Sequence, residues 1–312
     1  MFCASGESRR YTPICFTAAA RQIRSHSPRF NVRSVSGLSS GADAAVQLLV
    51  AYSSLFAGAG VFAGQGYHCA VTRFPGDKLY LSSASPDVPY CDSCPPGFTL
   101  GYDHCKTADT VAATTNVSLL VTKARERATA STIDSLAALA SRRVFLYRGL
   151  NDTTYNGGSV RATTDFVRAF LPDSAVQFEE SIQSEHLLPG INPHLCSWEE
   201  WAGPDNCTYD GAYHVLSWIH GASRLAGGRS KIESAALWSA HGRTWDQRPF
   251  WDASRDAGLA ESGALFVPPD CHPDGHTCTV HMFLHGCDVD DTWSTSLRSG
   301  GASTNGRSAT AS

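Results

Sequence analysis

The sequence is poor in charge and has no long apolar run. Only 17% of its 312 residues are charged, the net charge is -4, and the sequence pI is about 6.3. This balance gives no basic surface for a nucleic acid, so we expect no nucleic-acid partner. No apolar stretch has the length of a bilayer-spanning segment, so we expect no membrane span.

A conventional secretion leader is also missing from the first thirty residues. Arg10 precedes only a short mixed run, and Arg21 follows it. That pattern lacks the continuous apolar stretch of a signal peptide. We expect residues 1–29 to be a poorly ordered segment and residues 291–312 to be a disordered Ser/Gly/Thr tail.

Cysteine, by contrast, is abundant, with eleven residues in the chain. This count is high for a cytosolic enzyme, and the clustering favours disulfides formed in an oxidising compartment. The candidate groups are Cys69 with Cys91, Cys94 and Cys105, then Cys196 with Cys207, and Cys271 with Cys278. Neighbouring histidines at 68 and 104 leave zinc ligation as an alternative. Asn116, Asn151 and Asn206 begin Asn-x-Ser/Thr triplets, which are glycosylation acceptors in a secreted chain.

Strand-like runs alternate with helical patterns along the middle of the chain. This alternation favours an α/β fold with a mainly parallel sheet, in one catalytic domain over residues 30–290. The predicted strands cover residues 30–36, 58–63, 143–147, 176–182, 232–238, 263–267 and 278–284. The predicted helices cover residues 40–53, 117–141 in two pieces, 159–171 and 209–221.

The motif that indicates chemistry is Gly37-Leu38-Ser39-Ser40-Gly41, which has the form Gly-x-Ser-x-Gly. A strand-like run precedes it and a strong helical pattern follows. This is the context of a nucleophile elbow, a cramped turn that lifts the serine hydroxyl out of the sheet. The N-terminus of the following helix favours the negative charge that forms on attack. Ser39 is therefore the predicted nucleophile, and an ordinary Gly/Ser turn is the alternative.

A serine hydroxyl needs a base to take its proton, and the base needs an orienting carboxylate. Asp152 follows the predicted strand at 143–147, and His186 follows the next predicted strand. With Ser39 they give the order Ser, Asp, His, which is the chain order of α/β-hydrolases, at strand ends where such sheets bind ligands. The alternatives left open are Asp173 for the carboxylate and His194 or His214 for the base.

Acyl transfer also needs N–H donors for the oxyanion. Ser40, directly after the predicted nucleophile, supplies the first donor. No His-Gly motif precedes Ser39, but His285-Gly286-Cys287 follows the last strong strand. An element that normally comes before the elbow thus comes after it, which predicts a circularly permuted chain with the Cys287 N–H as second donor. The alternative is that His-Gly merely ends a strand.

Several short segments are together more specific than the serine motif. They are SVSGLSSG at 34–41, VAYS at 50–53, GVFAG at 60–64, YHCA at 67–70, NCTYDGA at 206–212, WIHG at 218–221 and FVP at 266–268. Together with the strand at 278–287, they resemble the extracellular poly(3-hydroxybutyrate) depolymerases of the single-domain, circularly permuted α/β-hydrolase form. The resemblance covers about residues 30–287.

This resemblance implies a secreted serine esterase that cuts short-chain polyhydroxyalkanoate through an acyl-enzyme. By position, Ser39 is the nucleophile, Asp152 the orienting carboxylate and His186 the base. Ser40 and Cys287 supply the oxyanion amides. We expect a monomer that needs no cofactor and no metal, and the extracellular setting favours disulfides over zinc. Two other functions remain open, namely a feruloyl or acetyl-xylan esterase and an inactive homologue that only binds hydrophobic surfaces.

The sequence departs from the family after the His-Gly-Cys element. Family members continue with a further strand, helices and a Trp-rich segment, whereas this chain turns acidic from Asp288. We therefore expect a sheet that lacks its last strand and helices and has an open edge beside the strand at 278–284. Trp198 and Trp201, beside the His186 loop, are the predicted substrate-facing pair.

Overall fold

The computed structural model describes residues 31–69, 115–155, 157–191, 194–196, 209–225, 240–250, 261–267 and 279–286. The chain divides into two compact units. The larger unit draws on Val32–Arg229 and His281–Cys287, and the smaller unit draws on Ser230–Val280. The predicted domain boundaries near residues 29 and 290 fall outside the described ranges and stay predictions.

The described residues form nine strands and four α-helices. In chain order these are β1 (Asn31–Leu38), α1 (Ser40–Ala51), β2 (Gly58–Phe62), α2 (Val117–Thr129), β3 (Arg143–Tyr147), α3 (Gly157–Arg168), β4 (Val176–Glu179), β5 (Gly190–Ile191), β6 (His194–Leu195), α4 (Gly211–His220), β7 (Gly242–Asp246), β8 (Ser262–Phe266) and β9 (Thr279–Leu284). Short 3₁₀ segments cover Leu136–Ser141, Asp173–Ala175, Ala222–Arg224 and Arg248–Phe250.

Five strands form one sheet in the order β4-β3-β2-β1-β9. The pairs β1–β2, β2–β3 and β3–β4 are parallel. The direction of β9 follows from its contacts with β1. His281 near its start hydrogen-bonds Ser34 and Ser36, and Gly286 just after its end lies against Ser39. The five strands therefore run the same way and end at one edge, which confirms the predicted parallel α/β sheet.

The two central strands are buried on both faces. Every residue of β2 is buried, and so are the last four residues of β3. On one face, Val215 and Ile219 of α4 pack with Phe62 and Phe145. Continuous apolar runs of this kind are typical of parallel strands covered by helices on both sides. The site described below stands on the ends of these rigid strands.

The smaller unit contains an antiparallel pair, β7 with β8, in which Gly242 is opposite Phe266. The predicted strand at 263–267 is confirmed as β8. β7 was not predicted, because its sequence, GRTWD, is polar, and the structure leaves this strand largely exposed. The predicted strand at 232–238 lies in a part of the chain that the structure does not describe. Across the described ranges, no helix combines the length and apolar character required to cross a bilayer.

Candidate active site

Ser39 lies on the tight turn between β1 and α1. Its backbone has φ 57° and ψ -125°, a conformation that is uncommon for a residue other than glycine and costs about 1–3 kcal/mol. The Ser39 N–H donates to the Phe62 carbonyl at 2.9 Å, and the Asp43 N–H donates to the Ser39 carbonyl at 2.9 Å. The surrounding fold thus holds the predicted nucleophile in the strained strand–turn–helix geometry of a nucleophile elbow.

The two glycines of the motif are required because other backbone atoms approach them closely. A Cβ on Gly37 would overlap the backbone of Gly41, and a Cβ on Gly41 would overlap the carbonyls of Leu284 and His285. Neither glycine has a positive φ. Their role is therefore to let the turn pack tightly against the end of β9, as the cramped turn predicted from the motif requires.

The loop after β9 lies beside the predicted nucleophile. A Cβ built on Gly286 would be 3.1 Å from the Ser39 Cβ and 3.8 Å from its Oγ. Ser40 is buried and opens α1, where the backbone N–H groups of the first turn point away from the helix. Cys287 is outside the described ranges, so Ser40 and Cys287 stay predictions as oxyanion donors.

Asp152 and His186 form a buried acid–base pair. The distance from His186 Nδ1 to Asp152 Oδ2 is 2.9 Å, and Asp152 is only 3% exposed. The other carboxylate oxygen, Oδ1, accepts N–H bonds from Thr154 at 2.8 Å and Tyr155 at 2.7 Å. The carboxylate is thus held on both oxygens. A carboxylate at Nδ1 leaves the Nε2 atom of His186 available for proton transfer.

Backbone pairing beyond the sheet brings these two residues together. The loop after β3 runs beside the segment after β4, and the Asn151 N–H donates to the Ser184 carbonyl at 3.0 Å. Gly149 permits this approach, because a Cβ there would overlap the Ser184 carbonyl. Asp152 and His186 each follow this pairing by one or two residues, so their contact is an extension of the β3–β4 register.

The relation between Ser39 and His186 is less direct. The strand ends that carry them share one edge of the sheet, but within the described residues no hydrogen bond joins the Ser39 hydroxyl to the imidazole. Such bonds are often long in sites without substrate and tighten in the substrate complex. The triad of Ser39, Asp152 and His186 therefore stays a prediction, supported by the elbow and by the acid–base pair.

Tyr155 was missed by the sequence analysis. Its ring is parallel to the His186 imidazole, with 1° between the planes and 5.3 Å between the centroids. Its hydroxyl donates to Asp43 Oδ2 at 2.9 Å. Burial raises the pKa of Tyr155 well above its ordinary value, and the Asp43 charge adds to the shift, so the hydroxyl keeps its proton. No local pattern could predict a contact between residues 112 positions apart.

The residues left open as alternatives for the carboxylate and the base have different surroundings. Asp173 lies just before β4, at the opposite edge of the sheet from the strand ends, and pairs at 3.4 Å with Arg168 on the surface. This position does not suit the orienting carboxylate. His214 stacks on Tyr209 with 4.2 Å between ring centroids. The His194 side chain and the predicted substrate-facing pair, Trp198 and Trp201, lie outside the described part of the chain, so their roles stay predictions.

The loop that contains His186 is held at several points. The Glu185 N–H donates to the Cys196 carbonyl at 2.8 Å. Ser184 lies 2.6 Å from the Tyr147 hydroxyl, and burial raises the pKa of Tyr147 to about 12. Cys69 and Cys196 are each disulfide-bonded. The cysteines predicted to pair with them, and the predicted Cys271–Cys278 pair, are among the residues not described, so these pairings stay predictions.

Comparison with known proteins gives one consistent result. No family model matches the chain. It is 28% identical over 278 residues to a polyhydroxybutyrate depolymerase of Talaromyces funiculosus, covering 86% of this chain and 70% of that protein. It is 29% identical over 256 residues to a poly(3-hydroxybutyrate) depolymerase of Delftia acidovorans, covering 81% of this chain but only 44% of that protein.

Two solved structures share the fold. One is a PHB depolymerase with a serine-to-alanine substitution, complexed with an R3HB trimer; its TM-score is 0.60 at 26% identity, covering 86% of this chain and 74% of that one. The other is the PHB depolymerase of Penicillium funiculosum, with a TM-score of 0.59 at 25% identity, covering 85% and 73%. The chain is thus similar to these depolymerases in both sequence and fold.

Proposed function

We infer that this chain, a homologue of the polyhydroxybutyrate depolymerases, hydrolyses ester bonds of short-chain polyhydroxyalkanoate through an acyl-enzyme on Ser39. One observation carries the inference beyond homology. The strained elbow of Ser39 and the buried Asp152–His186 pair stand at the same edge of one parallel sheet. A nucleophile, a base and an orienting carboxylate are the groups that acyl transfer requires.

In the first half of the proposed reaction, the Ser39 hydroxyl attacks the ester carbonyl carbon. His186 Nε2 takes the hydroxyl proton as the new C–O bond forms. Asp152 stabilises the resulting imidazolium through its bond to Nδ1. The carbonyl oxygen becomes negative and accepts hydrogen bonds from the Ser40 and Cys287 amides. Collapse of this intermediate breaks the ester bond, and His186 returns the proton to the leaving alkoxide.

In the second half, water attacks the acyl-enzyme. His186 takes a proton from the water and then gives it to the Ser39 oxygen as that bond breaks. The products are a shortened polyester with a free hydroxyl and a hydroxyacid fragment with a free carboxylate. No step requires a cofactor.

The position of β9 supports a circularly permuted chain. β9 is last in sequence among the described strands but adjoins β1, and the His-Gly loop at its end lies against Ser39. In an α/β-hydrolase the strand that supplies this loop normally comes before the nucleophile elbow. Permutation gives the same neighbours with the chain cut elsewhere.

We also propose that the protein is secreted as a glycoprotein. Asn116 and Asn151 are both exposed, as carbohydrate attachment requires. Expression in a glycosylating secretory host should give a mass that falls after endoglycosidase treatment. An unchanged mass in that host would contradict the proposal, and the same chain made in a bacterial cytosol is the unglycosylated reference.

The activity is tested with the purified chain, its Ser39→Ala variant and a matched Ser174→Ala variant at an exposed position. We expect the wild type and Ser174→Ala to clear polyhydroxybutyrate suspensions and to hydrolyse aryl butyrate, and Ser39→Ala to do neither. A serine-reactive phosphonate should add one adduct to Ser39. Hydrolysis by folded Ser39→Ala at the wild-type rate would contradict the mechanism.

A substrate panel tests the polymer assignment. Feruloyl and acetyl-xylan esters should react more slowly than the polyester. Faster turnover of the sugar esters would identify a carbohydrate esterase instead. Phosphonate-unreactive protein that adsorbs to polyester film without cleaving it would identify an inactive surface-binding homologue.

A further inference from the structure

Tyr155 contacts the predicted carboxylate, the predicted base and the helix that follows the predicted nucleophile. The Tyr155 N–H donates to Asp152 Oδ1 at 2.7 Å, and the Tyr155 ring lies parallel to the His186 imidazole. The Tyr155 hydroxyl donates to Asp43 Oδ2 at 2.9 Å. Tyr155 is 2% exposed, so these contacts are made in a buried environment.

Asp43 links this tyrosine to the nucleophile elbow. Its N–H donates to the Ser39 carbonyl at 2.9 Å, which places Asp43 in the first turn of α1. Its carboxylate accepts the Gln65 N–H at 2.8 Å and the Gln65 side-chain amide at 3.1 Å. A negative charge at this end of a helix is favourable. Asp43 is therefore a fixed anchor on the element that carries Ser39.

The imidazole needs such support. His186 lies on an irregular loop after β4. In the described part of the chain the ring has one hydrogen bond, between Nδ1 and Asp152 Oδ2 at 2.9 Å. That bond restricts rotation about the Cβ–Cγ axis but still allows the plane of the imidazole to tilt. Rotation about the terminal torsion of histidine is broad and only weakly restricted by its own rotamer wells. A flat ring stacked on one face limits the tilt of the imidazole plane.

From these contacts we propose, resting on the function proposed above, that Tyr155 is a positioning residue that sets the plane of the His186 imidazole toward Ser39. The ring fixes the orientation of the imidazole, and the Asp43 bond fixes the ring relative to α1. Tyr155 itself transfers no proton and touches no ester atom. Small misplacements of a catalytic base are costly, because proton transfer depends steeply on geometry.

Three variants separate the contribution of the Tyr155 ring from that of its hydroxyl group. Tyr155→Phe keeps the ring but loses the bond to Asp43, and we expect kcat to fall about threefold to tenfold. Tyr155→Leu removes the flat ring while leaving the site apolar, and we expect kcat to fall about tenfold to a hundredfold with KM within twofold. Tyr67→Leu is the matched control, because Tyr67 is also buried and stacks on Phe166 rather than on His186.

The readouts must distinguish positioning from general core damage. Thermal unfolding measures the stability of each variant, and kcat is expressed per folded molecule. We expect Tyr155→Leu to shift the pH profile of kcat and Tyr67→Leu to leave it unchanged. The low-field proton NMR signal of the His186 Nδ1–H should be present in the wild type and in Tyr67→Leu. It should be broadened or lost in Tyr155→Leu through faster exchange.

The NMR signal is independent of substrate, so it separates this proposal from the proposed function. If Ser39→Ala remains active, the proposed function is wrong. The Nδ1–H signal of His186 still reports in that case whether Tyr155 holds the imidazole. If Ser39→Ala is inactive while folded Tyr155→Leu keeps the wild-type kcat, pH profile and signal, the positioning role is overturned. Equal losses of kcat in Tyr155→Leu and Tyr67→Leu would also overturn it.

Discussion

Two regions of the larger unit place histidine beside serine or carboxylate, and they differ in chemistry. At the strand ends, His186 faces a buried carboxylate, and the partly exposed Ser39 sits on a strained turn. Within the sheet, His281 of β9 hydrogen-bonds Ser34 at 2.8 Å and Ser36 at 2.7 Å, and Ser34 also bonds His220 at 2.8 Å. Both serines of this second region are fully buried.

The second region cannot act as the first does. Within the described ranges no carboxylate bonds the His281 ring, and both ring nitrogens are already occupied by serine hydroxyls. Burial lowers the pKa of His281 from 6.5 to about 4, and His220 adds to the shift. A partly buried histidine that stays neutral, with both nitrogens bonded to serine hydroxyls, joins β9 to β1. Proximity of serine and histidine is thus not enough for a catalytic site when the histidine nitrogens are occupied and no carboxylate orients the ring.

The sharpest way to test this contrast is to remove the charge at Asp152. Asp152→Asn keeps an oxygen for the Thr154 and Tyr155 N–H groups but no longer stabilises the imidazolium. We expect kcat/KM for aryl butyrate to fall about 1,000- to 10,000-fold while near-UV circular dichroism stays native. A folded variant that loses less than tenfold would mean that another carboxylate orients the base.

The comparison also explains what the sequence could predict. Ser39, Asp152 and His186 could be proposed from the sequence because each comes shortly after a predicted strand, and parallel strands end at one edge. The His-Gly loop was recognisable for the same reason. Each of these signals lies within a short stretch of sequence. The parallel arrangement of the strands brings the stretches together at one edge of the sheet.

The contacts that the sequence did not reveal are of a different kind. Tyr155 and Asp43 belong to no motif, and only the folded chain brings them together. The same is true of Ser34 and His281, which lie 247 positions apart. β7 was missed because its sequence, GRTWD, is polar and does not alternate with apolar residues. Supporting contacts between distant elements are therefore where structure adds most to the sequence.

The next largest effect is on stability, at His281. Its folded pKa of about 4 lies below its ordinary value of 6.5, so the unfolded chain binds the proton more readily. The stability this group contributes is complete above pH 6.5 and is lost as the pH falls from 6.5 toward 4. A shift of this size corresponds to about 3 kcal/mol. His281→Gln cannot titrate and serves as the reference.

Urea unfolding at several pH values measures this effect. We expect the wild type to lose its advantage over His281→Gln between pH 6.5 and 4, while both retain the same pH profile of kcat. A difference in unfolding free energy that does not change with pH would show that His281 is not held neutral in the folded protein.

A smaller effect is expected when one partner of His281 is removed. Ser36→Ala leaves the imidazole Nε2 atom buried without its hydrogen bond, at a cost of about 1–3 kcal/mol. The activity per folded molecule should stay within twofold, because Ser36 lies within the sheet rather than at its edge. Urea midpoints and initial rates measured on the same samples check both statements. A large loss of kcat at full folding would mean that the second region influences catalysis.

The smallest effect belongs to a third histidine, His214 on α4, which the sequence left as an alternative base. Its ring stacks on Tyr209 with 4° between the planes and 4.2 Å between the centroids. His214→Phe keeps an aromatic ring for that stack and removes every proton-accepting nitrogen. We expect kcat on aryl butyrate to stay within twofold, whereas His186→Phe should abolish turnover. If His214→Phe instead loses more than a hundredfold while His186→Phe retains activity, the base belongs to α4, and the edge of the sheet is not where the proton is transferred.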